Sequence, residues 1–163
     1  MIEVDVQAQT VVVEPPRGIY PGRVDEKGRL KLPVDFQQYL NRLGESRVFI
    51  TTLDGRIGRI YPISVWRDNE IVLREAGDDA DKAEDLWFIA NAFGGDAELD
   101  SQGRLLVPTD LRRHLNVENQ PVHLEYYKGH VNIYTQAVYD EKMARAFDSL
   151  GEKLKVFEKK GLR

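Results

Sequence analysis

The sequence contains no cysteine, which excludes a disulfide framework, a thiolate nucleophile and any zinc site with sulfur ligands. No stretch approaches the roughly 18 consecutive apolar residues that a membrane-spanning helix needs. The first residues, Met1-Ile2-Glu3-Val4-Asp5, lack the basic flank and apolar run of a secretory signal, so a cytoplasmic protein is expected. Catalytic motifs are missing as well. There is no G-x-x-x-x-G-K-[ST] phosphate loop, no G-x-S-x-G elbow and no H-E-x-x-H zinc pair. His114, His123 and His130 are scattered and read as capping or strand-surface residues. The crowded carboxylates Asp78, Asp79, Asp81, Glu84 and Asp85 lack the glycine and terminal glutamate of a calcium loop. They suit a solvated linker leading into a helix N-terminus. No enzyme, cofactor or metal site is expected.

What is present suffices for a packed, water-soluble chain: of 163 residues, 42% are hydrophobic and 31% charged. The formal net charge of −4 counts against a generic nucleic-acid binder, but the charges are unevenly placed. Between Arg17 and Arg47 seven basic residues face four acidic ones, whereas between Arg67 and Glu98 three basic residues face ten acidic ones. A basic face can therefore coexist with an acidic connector.

An internal repeat organises the chain. The segment from Asp25 to Leu40 aligns without gaps on the segment from Asp100 to Leu115, with seven identities in sixteen positions. They are Asp25/Asp100, Gly28/Gly103, Arg29/Arg104, Leu30/Leu105, Pro33/Pro108, Asp35/Asp110 and Leu40/Leu115. Each copy reads as turn, strand, helix, strand, strand, helix. Gly28 suits a tight turn, Leu30-Lys31-Leu32 alternates as a strand, and Pro33 ends the ladder and suits a first helical turn. Phe36, Leu40 and Leu43 recur at helical spacing. Asp54-Gly55 and Lys128-Gly129 mark hairpin turns. A copy of roughly 45 residues buries too little surface to stand alone, so the two should pack as a pseudo-dimer sharing one sheet or barrel. Val65–Ala76 and Ala83–Phe93 read as helices between the copies, and Gly94-Gly95 as a flexible entry to the second. Phe147, Leu150, Leu154 and Phe157 form the apolar stripe of a C-terminal helix. The expected organisation is a flexible extension (1–17), a first repeat (18–66), an acidic helical connector (67–93), a second repeat (94–140) and an amphipathic helix (141–163).

The constellation with chemical content is Asp-x-x-Gly-Arg, present twice. An aspartate four residues before an arginine can simply pin a turn by an ion pair. Alternatively, an arginine entering a sheet presents a planar fork to phosphate or to the guanine edge. Lys27 and Gln102 occupy equivalent neighbouring positions and suit contacts to phosphates or bases. Asp25 and Asp100 would be repelled by DNA, so orienting the arginine or capping the turn is the role expected of them.

Asp25-Glu-Lys-Gly-Arg-Leu-Lys-Leu-Pro33 and Asp100-Ser-Gln-Gly-Arg-Leu-Leu-Val-Pro108 resemble the paired signatures of the MraZ family of tandem SpoVT/AbrB-like transcriptional regulators. The resemblance covers about residues 18–140. It implies an α+β fold of two swapped-hairpin AbrB-like modules, forming an intrachain pseudo-dimer barrel with peripheral helices. It also implies ring-shaped homo-oligomers, a nucleoid location, and binding to short direct repeats of double-stranded DNA in the promoter of the division and cell-wall gene cluster. By motif, the DNA-contacting role falls on Arg29 and Arg104, helped by Lys27 and Gln102, with Asp25, Gly28, Asp100 and Gly103 shaping the loops. The competing expectation is an AbrB-like protein-interaction or antitoxin module in which the Asp–Arg pairs are structural and the C-terminal helix binds a partner.

Overall fold

The computed structural model describes residues 2–6 and 9–163, with side chains from Val13 onward. Within the segment expected as a flexible extension, β1 (Ile2–Val6) and β2 (Gln9–Val13) pair antiparallel, Ile2 opposite Val13 and Val6 opposite Gln9. Residues 1, 7 and 8 of that segment lie outside the described residues. The first repeat runs through β3 (Ile19–Val24), β4 (Arg29–Lys31), α1 (Val34–Leu43), β5 (Arg47–Thr52) and β6 (Gly58–Pro62). The connector is α2 (Ile63–Arg74), a 3₁₀ turn (Gly77–Asp79) and α3 (Ala80–Phe93). The second repeat follows as β7 (Gly95–Glu98), β8 (Arg104–Leu106), α4 (Thr109–Leu115), β9 (Gln120–Tyr127) and β10 (His130–Thr135), and the chain ends in α5 (Gln136–Phe147) and α6 (Leu150–Glu158).

The strands of the two repeats interleave. Their order is β7-β5-β6-β10-β9-β3-β4-β8, every pairing antiparallel, and the ends of this sheet approach through the Asp100 loop to give a nearly closed barrel. The first strand of each copy pairs with the third of the other, as β3 with β9 and β7 with β5. Equivalent strands meet on a pseudo-twofold axis: Leu30 faces Leu105 where β4 meets β8, and Arg59 faces Asn132 where β6 meets β10. This α+β swapped-hairpin barrel with helices around it is the architecture that the resemblance implies.

The repeated residues are the core residues. Leu30 and Leu105, Leu32 and Val107, Phe36 and Leu111, and Leu40 and Leu115 are buried in one cluster with Val24, Ile50, Leu124 and Ile133. Alternation sends these inward from each strand, and neither copy can cover them without the other's strands. Pro33 and Pro108 each precede a short helix, which stops at a left-handed residue, Gly44 (φ 71°) or Asn116 (φ 58°). The β9–β10 turn places Lys128 at φ 49° and Gly129 at φ 92°, the two positive angles that a two-residue hairpin turn requires.

Three sequence expectations need correction. The C-terminal apolar stripe does not lie on one continuous helix, because an extended Asp148 (ψ 123°) and a left-handed Ser149 (φ 54°) interrupt the helical hydrogen bonds between α5 and α6. Gly94 is not merely a flexible entry: a Cβ there would lie 2.3 Å from Phe49 Cζ and from the Ala90 carbonyl, so close packing requires glycine. His130 is no strand-surface histidine. It is 6% exposed, and its Nε2 lies 2.8 Å from Asn132 Oδ1.

Candidate nucleic-acid interface

The two Asp-x-x-Gly-Arg segments form equivalent loops at the two ends of the β4/β8 ribbon. In the first, Asp25 Oδ1 accepts the backbone N–H groups of Lys27 and Arg29, both at 2.9 Å, and Oδ2 accepts Arg29 Nε–H at 2.9 Å. In the second, Asp100 Oδ1 accepts from Gln102 and Arg104, both at 2.9 Å, and Oδ2 accepts Arg104 Nε–H at 2.8 Å. One carboxylate thus caps the turn and aims the arginine. The Arg29 backbone N–H, ahead of that residue's side chain, holds the Asp25 carboxyl below the usual carboxylate range. The Arg104 backbone N–H does the same for Asp100. Both carboxylates are charged at neutral pH.

Only Nε of each guanidinium is engaged. Among the described residues, the terminal nitrogens of Arg29 and Arg104 have no hydrogen-bond partner, and their side chains are 32% and 25% exposed. Leu30 and Leu105 are fully buried. Arg29, Lys31, Arg104 and Leu106 therefore share the outer face of the ribbon. The register pairs Arg29 with Leu106 and Lys31 with Arg104. That spacing places the two arginine Cα atoms on the order of 8 Å apart diagonally. Lys27 and Gln102 are exposed at the loop tips. Such a two-stranded ribbon is narrow enough for the major groove, about 12 Å wide, and the free edges of its guanidinium groups match phosphate or guanine acceptors.

The loops are locked across the copies. Leu32 N–H donates to the Gly103 carbonyl at 3.0 Å, and Val107 N–H to the Gly28 carbonyl at 2.9 Å. Gln37 lies against Gly103 while donating to the Leu32 carbonyl at 2.7 Å. Its counterpart Arg112 lies against Gly28 and donates through Nη1 to the Val107 carbonyl at 2.6 Å. Each loop glycine has a positive φ, 85° at Gly28 and 74° at Gly103.

Sequence reasoning singled out Lys27, Arg29, Gln102 and Arg104 but passed over Lys31, whose ammonium donates to the Gln102 carbonyl and ties β4 to the second loop. Alternation with Leu30 and Leu32 was the available signal. Gln37 and Arg112 were also passed over, although their offset of 75 residues matches that of the loops they cover. The acidic run Asp78–Asp85 lies at the 3₁₀ turn and the start of α3, outside the barrel.

Comparison with known proteins agrees with this architecture. The model of the family described as "MraZ protein, putative antitoxin-like" matches residues 93–154. The chain is 39% identical over 106 residues to the transcriptional regulator MraZ of Acidobacterium capsulatum, covering 65% of this chain and 73% of that relative. It is 33% identical over 147 residues to the transcriptional regulator MraZ of Heliobacterium modesticaldum, covering 86% of this chain and 97% of that one. A third relative, the transcriptional regulator MraZ of Anaeromyxobacter dehalogenans, is 30% identical over 134 residues, covering 78% and 88%.

Proposed function

The chain belongs to the MraZ family and is a transcriptional regulator, and from that premise we propose that it binds promoter DNA sequence-specifically through the outer face of its β4/β8 ribbon. The observation that carries this reading is the paired geometry of Arg29 and Arg104. Each is held at Nε by its own aspartate, with its terminal nitrogens unengaged among the described residues on one outward face. Pre-aimed guanidinium groups lose little side-chain entropy on binding, and a bidentate contact to guanine supplies discrimination of about 1–3 kcal/mol. Lys27, Lys31 and Gln102 add phosphate contacts, which carry salt-dependent affinity without sequence information.

One ribbon offers few cations, so a single subunit binds weakly. A homo-oligomeric ring presenting identical ribbons to short direct repeats gains through effective concentration. The targets are the promoter repeats of the division and cell-wall gene cluster, and the location is cytoplasmic and nucleoid-associated. The test is a gel-shift titration on a duplex from upstream of the chain's own gene, comparing the parent with Arg29→Ala/Arg104→Ala at several salt concentrations. Loss of operator binding in a folded variant is expected; equal binding by both proteins rejects the assignment.

A second reading, an antitoxin-like protein-interaction module, is favoured by the C-terminal helices. Phe147, Leu150, Leu154 and Phe157 are exposed by 65%, 48%, 47% and 55%, an apolar surface available to a partner. Recovery of one stoichiometric protein partner by a variant that binds no DNA supports it.

A further inference from the structure

The barrel wall opposite the β4/β8 ribbon carries a cleft of aromatic and cationic side chains. Four strands away in the sheet order, β6 meets β10, and there α2, α3 and the β9–β10 turn enclose a cleft of about 360 Å³. That volume is in the range of small-molecule sites. Tyr61, Trp66 and Tyr127 supply aromatic walls, and Leu53, Val65 and Leu86 apolar ones. Two cations, Arg59 and Lys128, line it, and no carboxylate does so among the described residues.

The floor is electrostatically unfinished. Arg59 donates from Nη1 to the Tyr61 hydroxyl at 3.1 Å, while its Nε is buried with no hydrogen-bond partner among the described residues. No ion pair to Arg59 forms among the described residues. The surrounding polar groups satisfy each other instead. Asn132 lies across the strand pair from Arg59. Its Oδ1 is 2.8 Å from His130 Nε2, and its Nδ2 donates to the Tyr134 hydroxyl, which donates to Glu125 at 2.7 Å. The Asp54 carboxylate accepts from the Arg56 and Ile57 backbone N–H groups in its own turn. Burial pushes the His130 pKa down to about 4, so this histidine adds no charge at neutral pH. A half-buried guanidinium that feels the Asp54 charge but forms no ion pair with it among the described residues, floored among aromatic rings, is costly unless an anion completes it.

We propose that this cleft binds a small aromatic carboxylate, its ring against Tyr61, Trp66 and Tyr127 and its carboxylate on the Arg59 guanidinium, with Lys128 supporting the charge. The site straddles the pseudo-twofold axis, drawing Arg59 from the first copy and Lys128 from the second. It is independent of the ribbon loops, being on the far wall of the barrel.

The experiment uses the full chain carrying Trp87→Phe, which leaves Trp66 as the sole tryptophan reporter. Phenylacetate is titrated against its neutral analogue phenylacetamide, with tryptophan fluorescence as the readout. Saturable binding of phenylacetate is expected, at least tenfold weaker for the amide and at least tenfold weaker in Arg59→Met. Lys128→Asn, which suits the positive φ of that turn, is expected to weaken it about threefold. Arg29→Ala is expected to bind phenylacetate as the parent does, which separates this site from the DNA-binding reading. No saturable response, equal affinity for acid and amide, or a response appearing only when an oligomer is diluted to subunits overturns the proposal; the last outcome marks the cleft as covered by a second copy. If Arg59→Met fails to melt cooperatively, the comparison of acid with amide on the parent decides, and equal affinity for the two overturns the proposal.

Discussion

At the scale of single residues, the loops turn on the difference between an arginine held at Nε and one held by its terminal fork. Asp25 and Asp100 engage only Nε, so the fork stays available. Lysine has no equivalent of that division, since one ammonium cannot both bond the aspartate and present a planar pair of donors. Arg29→Lys is therefore expected to keep much of the non-specific affinity while losing discrimination between operator and a scrambled duplex by about tenfold to a hundredfold. Fluorescence anisotropy on both duplexes at one salt concentration measures this. Acidity acts on the same carboxylates. Their folded pKa values lie below the ordinary aspartate value, so the stability they contribute is present above that value, about 3.9, and is lost as pH falls through the folded value. The Tm difference between the parent and Asp25→Asn/Asp100→Asn is expected to shrink as pH drops from 5 towards 3, on the order of that window. His130 has the same sign over a higher window. Its pKa falls from 6.5 to about 4, so its stabilising effect is complete above 6.5 and lost between there and about 4. Denaturant melts of His130→Gln from pH 7 to pH 4 are expected to show a flatter profile than the parent.

Among elements, the loop glycines are where backbone geometry and cross-copy packing coincide. Alanine at Gly28 or Gly103 has to adopt a positive φ, and its Cβ would lie 2.3 Å from the Arg112 guanidinium or the Gln37 amide. Both neighbours are the far ends of flexible side chains, so they swing aside and lose their bonds to the Val107 and Leu32 carbonyls. The expected cost is about 2 kcal/mol per site, read from chemical denaturation, with weaker operator binding alongside. At the other end of the second copy, Thr135 caps α5 by accepting the Val138 N–H at 3.1 Å. Thr135→Ala is expected to cost about 1 kcal/mol without changing DNA affinity. The helices and strands themselves were legible, because proline before α1 and α4 and alternating β-branched residues in β5 and β10 are local signals. The break between α5 and α6 was not. Its cause is an extended Asp148 followed by a left-handed Ser149, residue types that do not announce those conformations.

For the whole molecule, the interleaved strand order makes the copies interdependent. β3 has its long partner in β9, and β5 lies between β6 of its own copy and β7 of the other. Cutting the chain after Phe93 removes one of the two neighbours of β3, β4, β5, β6, β9 and β10, takes β5 from β7 and β4 from β8, and leaves Leu30 and Leu105 uncovered. Neither fragment alone is expected to show a cooperative monomeric transition in circular dichroism, whereas the two mixed are expected to regain it. A separately folded, cooperative monomer of either fragment would contradict the swapped arrangement. The acidic connector sits outside the barrel as α2 and α3, fixed by Phe49 stacked on Trp66 at 4.6 Å and by Thr51 donating to the Ala90 carbonyl at 2.7 Å.

The sequence by itself determined the duplication, the loop glycines, the Asp–Arg pairs and the inward-facing leucines. Each of these rests on residue type and on spacing along the chain, and the repeat at an offset of 75 residues writes them twice. Only the tertiary structure decided that the two loops flank one ribbon, that Gln37 and Arg112 brace them from the opposite copy, and that Arg59 lies in an aromatic cleft with no ion pair among the described residues. Those facts depend on which strand lies beside which, through contacts between residues far apart in the chain, and such contacts leave no periodic trace in either segment alone.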